Sequence, residues 1–167
     1  MYDANGNMTS VVPLNVIKPT VGAWALTNAA NKWTLDHTVA ADTSILHIPL
    51  PLIGSDFENG GSILKSIEIF WSNATADIVD IVPMVYVNSL PANGGAQVVT
   101  AQNFLYDAAH NTTALRKTQA VHNMNIELTG PVPVVGDVEI FLSLSINAAA
   151  TSVFKLIGIK ANYMLRL

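Results

Sequence analysis

Four histidines, His37, His47, His110 and His122, are the residues of this chain best equipped for acid–base or metal chemistry. None stands at the HxH, HxxH or HExxH spacing that brings two imidazoles to one metal ion. Asp36 and His37 are neighbours, and neighbouring side chains on a strand leave from opposite faces. His110 and His122 flank a loop-rich stretch that a fold can close on itself; as turn histidines they need no function at all. Asp42, Asp56, Glu58, Asp77 and Asp80 come nearest to an acidic cluster. Calcium wants several oxygens converging from a glycine-bearing loop. Asp56-Phe57-Glu58-Asn59-Gly60 meets that loosely and reads more simply as a solvated turn.

Nucleophilic and nucleotide chemistry find less. Gly54-Ser55 and Gly61-Ser62 fall short of the GxSxG elbow, and neither GxGxxG nor GxxxxGK[ST] occurs. The chain has no cysteine, which excludes disulfides and thiolate metal sites. The expectation is a non-enzymatic protein with no catalytic, cofactor-binding or metal-ligating residues and no cofactor.

Three tryptophans raise a different possibility, because sugar rings stack on exposed aromatic faces. Trp71 shares its parity with Ile67 and Ile69 and is expected in the core. Trp24 and Trp33 lie in or just after the opening segment and are open to solvent, or packed, or a glycan platform.

The composition constrains what must position these residues. Half of the 167 residues are apolar and 12 % are charged, about half the roughly 25 % usual for soluble domains. A free monomer stays dispersed behind a mixed, charged surface. A chain this poor in charge is therefore expected to cover surface with neighbours, as a homo-oligomer. Of its basic residues only Arg116 and Lys117 are adjacent, so the clustered cations of a nucleic-acid binder are missing. Met1 to Ser10 is polar and unlike a signal peptide. No apolar run nears the roughly 20 residues of a membrane-spanning helix. The Asn-x-Thr triplets at Asn7, Asn73 and Asn111 read as turns.

Strands run through most of the chain. Residues 1–31, punctuated by Gly6, Pro13, Pro19 and Gly22, read as a leader, or an arm for a neighbouring subunit. Residues 32–167 read as one domain of about eight strands. Leu46, Ile48, Leu50 and Leu52 alternate with Ile45, His47, Pro49 and Pro51; Ile63–Trp71 is rich in β-branched and aromatic residues; residues 76–88 carry Val79, Ile81, Val85 and Val87 on one parity. Pro49 and Pro51 mark an edge or an ending strand, and Pro83 a bulge or an edge. Residues 96–118 are the least regular, and Gly130–Gly136 reads as a rigid connection. Ile140–Ile146 and Ile157–Leu167 alternate again. With no convincing helical period, the pattern predicts an all-β fold, an antiparallel two-sheet β-sandwich of jelly-roll type.

The runs Ser44–Leu52 (SILHIPLPL), Gly61–Trp71 (GSILKSIEIFW) and Ala150–Tyr163 (ATSVFKLIGIKANY) resemble β-sandwich virion proteins of bacteriophages and related viruses, among them decoration, head-fibre and tail-appendage modules. The resemblance covers roughly residues 32 to 167. It implies a non-enzymatic structural subunit, often trimeric, made in the host cytoplasm and carried on the virion beside other virion proteins. Ile45, Phe141, Leu156 and Met164, apolar on the nominally polar parity, are then expected to bury against those neighbours. The alternative is a glycan- or receptor-binding module whose loops at 88–118 face the ligand.

Overall fold

The computed structural model describes residues 6–37, 41–51, 61–75, 77–89, 95–134, 138–150 and 152–165. Among the described residues twelve strands form: β1 (Gly6–Val12), β2 (Lys18–Val21), β3 (Trp24–Ala29), β4 (Lys32–His37), β5 (Thr43–Pro49), β6 (Ser62–Asn73), β7 (Ile78–Ser89), β8 (Val98–Gln102), β9 (Phe104–Tyr106), β10 (Val121–Val134), β11 (Val138–Ala148) and β12 (Phe154–Leu165). A 3₁₀ turn at Leu14–Val16 and a one-turn helix, α1 (Thr113–Arg116), complete the elements.

Every pairing is antiparallel. One sheet runs β3-β4-β12-β6-β10-β9, with β1 also on β12; the other runs β2-β5-β11-β7-β8. The chain changes sheet at most connections, as a jelly roll does. Period-two patterning explains the layering, since alternate side chains enter the space between the sheets. Leu64, Ile67, Ile69 and Trp71 of β6 meet Ile140, Leu142, Leu144 and Ile146 of β11 in one continuous core. Each such side chain stabilises the fold by about 1.5–3 kcal/mol through lost water contact.

Residues 6–29, read from sequence as a leader, supply three strands: β1 pairs with β12, β2 with β5 and β3 with β4. The boundary expected at residue 32 falls at the β3–β4 turn. These strands were hard to see because only Val12 and Ile17 of that stretch are buried, which leaves little alternation to read. From residue 32 onward nine strands form where about eight were expected.

Bulges explain the other departures. Leu156, expected on the outer face, is buried, and Ile157 is exposed in its place. A register shift between Leu156 and Gly158 exchanges the two faces of β12 at that point. Ile45, Phe141 and Met164 are half-buried on outer faces. Val79 points outward and Ile78 inward, because β7 slips against β11 between Asn147 and Ala148. The connection expected at Gly130–Gly136 is strand as far as Val134. A shift between Glu127 and Val132 absorbs Gly130 and Pro131, and β9 pairs β10 only at Ile126–Leu128, so Pro133 breaks no ladder on that side. Likewise β8 pairs only Val85–Ser89 of β7 and stops short of Pro83.

Candidate functional site

The residues that looked most chemical are largely consumed by the fold. His110 and His122 do meet, 3.2 Å apart between Nε2 and Nδ1, but each is only 6 % exposed. His110 Nδ1 lies 2.7 Å from Asp107 Oδ1, and His122 Nε2 donates to the Thr118 carbonyl at 2.9 Å. An acceptor therefore closes the chain at both ends. Burial pushes the Asp107 carboxyl up, but the Asn125 N–H and His110 outweigh it and hold it below the ordinary carboxylate range. Trp71 stacks on His122 with centroids 4.6 Å apart.

Arg116 ties this cluster to the sandwich. Its Nε donates to the Ile81 carbonyl at 2.8 Å and Nη1 to the His110 carbonyl at 3.1 Å. Nη2 donates to Asp80 Oδ1 at 3.1 Å and to Thr113 Oγ1 at 3.0 Å, and the guanidinium lies over the Tyr106 ring. Asn73 Nδ2 holds the Arg116 and Thr118 carbonyls. The polar side chains of Asp107, His110, Arg116 and Thr118 thus bond to one another, to neighbouring side chains and to backbone carbonyls, while Leu105 and Leu115 of the same stretch are exposed. Asp80, a candidate calcium ligand, is an ion-pair partner here. Among the described residues no three His, Asp or Glu side chains converge on a metal position; the Asp56–Gly60 turn lies outside the described residues.

A serine, histidine and aspartate also gather where sequence search found none. Ser44 Oγ lies 2.5 Å from His37 Nε2, and Asp42 Oδ1 lies 3.3 Å from the same nitrogen. A catalytic triad puts the carboxylate on Nδ1 and the serine on Nε2; here Nδ1 has no partner among the described residues. Burial pushes the His37 pKa down despite Asp42, which keeps the ring neutral with its one proton best placed on Nε2. With its proton there the imidazole donates toward Ser44, whose Oγ donates in turn to Asp42 Oδ1 at 3.3 Å, an arrangement that differs from a triad's. Gly22, at φ 89°, makes room for this contact, since a Cβ there would sit 2.0 Å from Ser44 Oγ.

Several rings are partly exposed, among them Phe70 under Lys160 and the Phe104–Tyr106 pair; two further groups bear on ligand stacking. On the outer face of the five-stranded sheet, Tyr86, Phe141 and His47 form a row across β7, β11 and β5, with centroid spacings of 5.2 and 4.3 Å and interplanar angles of 24° and 32°. Tyr86 stacks on Phe141, and His47 packs on Phe141 at a tilt. Ile45, Val82, Met84 and Pro49 lie on the same face of the sheet.

Trp33 is different. The β3–β4 hairpin turns through Ala30 and Asn31, both at positive φ (51° and 62°), a two-residue turn whose twist matches its strands. Trp24, Leu26 and Trp33 share the inward face with Leu35 and His37. β4 pairs β12 only opposite Phe154–Leu156, and from Ile159 onward β1 takes that edge of β12. The hairpin tip thus leaves the sheet and carries Trp33 and Leu26 away from the core. Trp24 remains packed against His37 and Phe154, whereas Trp33 is 55 % and Leu26 44 % exposed. With Leu14 and Asn15 of the 3₁₀ turn they line a cleft of about 390 Å³. Sequence reading named Trp33 but could not separate it from Trp24; the pairing of β1 with β12 makes the distinction.

No protein-family model matches the chain, and no curated protein matches it. Among solved structures it is similar to the family 11 carbohydrate-binding module of cellulosomal cellulase Lic26A-Cel5E of Clostridium thermocellum, at TM-score 0.40 and 9 % identity over 96 % of this chain and 88 % of that one. It is also similar to the arabinose-bound MgGH51 α-L-arabinofuranosidase, at TM-score 0.41 and 10 % identity over 92 % of this chain, and spans 24 % of that enzyme. A third similar structure is the enzymatically active domain of bacteriophage CBA120 tailspike protein 4, at TM-score 0.38 and 8 % identity over 92 % of this chain and 19 % of that one.

Proposed function

We propose that this chain is a non-catalytic carbohydrate-binding module whose ligand stacks on Trp33. One observation carries the reading: an indole 55 % exposed at the wall of a cleft of about 390 Å³, with no other ring packed on it among the described residues. Leaving so large an apolar side chain in water is unfavourable, and covering it returns about 25 cal/mol per Å². A sugar's C–H face is flat enough to cover it. Against the cost of association a single platform of this kind supports binding near the millimolar level, about −4 kcal/mol.

The test is a titration of intrinsic tryptophan fluorescence against a panel of soluble neutral, acidic and amino glycans. A saturable shift for at least one of them, absent in Trp33→Ala while the melting temperature is kept, is the expected result. Silence across the panel, or a shift that survives in Trp33→Ala, overturns the reading.

A second reading, a self-assembling structural subunit such as a virion decoration or appendage, draws on the outer face of the five-stranded sheet. There Ile45 and Phe141 lie on the same apolar surface as Val82 and Met84, joined by the register of β5, β11 and β7. Absolute mass by light scattering decides it. An oligomer that falls to folded monomer in Ile45→Glu/Phe141→Glu supports it, and a wild-type monomer at high concentration removes it.

A further inference from the structure

We infer that the cleft beside Trp33 selects a neutral sugar bearing an acetamido group. This rests on the reading of Trp33 as a sugar platform and narrows it to one ligand class. Among the described residues its lining is an indole, two leucines and one primary amide: Trp33, Leu14, Leu26 and Asn15. None of these four side chains is charged. A uronic or sialic acid would bring a carboxylate with no cation to meet it, and a free amino sugar an ammonium with no anion; such unpaired charges are costly to desolvate. Charge therefore selects a neutral ligand.

The ratio of apolar to polar lining narrows the choice. An ordinary hexose carries hydroxyls around its ring, and those turned to Leu14 and Leu26 would lose water with nothing in exchange. An acetamido group replaces one hydroxyl by a methyl, an N–H donor and a C=O acceptor. Asn15 presents the matching pair, an NH₂ donor and a carbonyl acceptor. Its carboxamide makes no hydrogen bond to any described residue and is free to engage. The same holds for the Trp33 indole N–H, which is left for a ring hydroxyl. In this arrangement the ring covers the indole, the methyl lies on the two leucines, and the two amides pair reciprocally. A cleft of about 390 Å³ sits at the small end of ligand sites, about 300–1,000 Å³, which suits one sugar unit with its substituent.

The experiment compares β-1,4-linked trimers of N-acetylglucosamine and of glucose, identical in backbone and differing at the acetamido position, by calorimetry on the full chain. The acetylated trimer is expected to bind at least about tenfold tighter, the scale on which a pocket discriminates by one small group. Asn15→Leu should erase most of that preference while leaving the melting temperature unchanged. Equal affinities, a preference for the glucose trimer, or a preference untouched by Asn15→Leu each overturn the acetamido assignment. If neither trimer binds but another glycan still shifts Trp33 fluorescence, the acetamido assignment falls and the module reading stands. If no glycan binds at all, the module reading falls with it.

Discussion

The cluster under α1 and the cleft under the β3–β4 hairpin use opposite materials for opposite ends. The first gathers Asp107, His110, His122, Arg116 and Asp80, the side chains a search for chemistry marks first, and turns them onto each other and onto backbone carbonyls. The second holds two leucines, an amide and an indole, none of them chemically reactive, and leaves them open. Two tryptophans show the contrast directly. Trp71 is sealed against His122, while Trp33 has no ring beside it among the described residues. A polar group taken out of water must find its partners inside the protein, and the charged side chains of this cluster do so, although Trp71 Nε1 and Asn73 Oδ1 beside them have none among the described residues. An apolar group held in water is the feature that still lacks a partner.

If that contrast is right, damage to the two regions must read out differently. The largest stability effect is expected at Arg116. Replacing it with Ala removes four donated hydrogen bonds and leaves the Ile81 and His110 carbonyls without them. Removing one partner of a buried ion pair costs about 3–5 kcal/mol; with Asp80 partly exposed, about 3 kcal/mol is expected here. Chemical denaturation measures it, and Arg116→Lys should recover little, because an ammonium cannot span the same acceptors. A loss below about 1 kcal/mol, the range of an exposed surface pair, would show that the cluster does not hold the fold.

Acid should act on the buried groups next, in two stages. His37 is held neutral by burial, its pKa depressed below 6.5. The unfolded chain then binds the extra proton first, so stability is complete above pH 6.5 and falls as pH drops below it. Asp36 and Asp107 are depressed below 3.8 in the fold. For Asp36 burial works the other way and is outweighed by Lys155, Thr34 and Thr27. Their contribution is lost as pH falls from 3.8 through the folded values. Melting temperature against pH tests this, with His37→Leu as the comparison. The decline between pH 6.5 and 5 should be shallower in the variant, and an unchanged slope would assign that decline to other groups.

How far the sequence could carry this contrast follows from where its signals are strong. Alternation in β5, β6, β11 and β12 runs against a full core, so the sandwich, its long strands and the burial of Trp71 were all legible. Of β1, β2 and β3 only β1 buries a side chain, Val12, and alternation fades there. The bulges at Ile157 and Val79 shift parity by one residue and leave no mark in composition. The meeting of His37 with Ser44, and of His110 with His122, depends on partners 7 and 12 residues away across turns, and no spacing rule covers that. Trp33 was visible as a residue; its openness depends on which strand takes the edge of β12.

A smaller change should strengthen the hairpin that carries the cleft. Ala30 sits at φ 51°, where an L residue with a Cβ is strained by about 1–2 kcal/mol. Glycine is the residue two-residue hairpin turns favour there, although its greater freedom in the unfolded chain offsets part of the gain. Ala30→Gly is expected to raise stability by roughly 0.5–1 kcal/mol without altering the cleft walls. A destabilised variant would mean that the turn does not hold this geometry in solution.

The smallest stability effect belongs to the residue assigned the largest functional one. Trp33 makes no ring contact or side-chain hydrogen bond to a described residue, so truncation to Ala should move stability by no more than about 0.5 kcal/mol, as for exposed positions in general. Trp71→Ala, by contrast, opens a cavity in the core and should cost about 3–5 kcal/mol. Denaturation of the two variants side by side, with the glycan titration repeated on each folded protein, separates the roles. A stable Trp33→Ala protein that no longer binds, beside a weakened Trp71→Ala protein that still does, locates recognition at the hairpin. A marked loss of stability in Trp33→Ala would instead make that indole a packing residue, its openness filled in solution by a neighbouring surface, and recognition would have to be sought on the stacked row of Tyr86, Phe141 and His47.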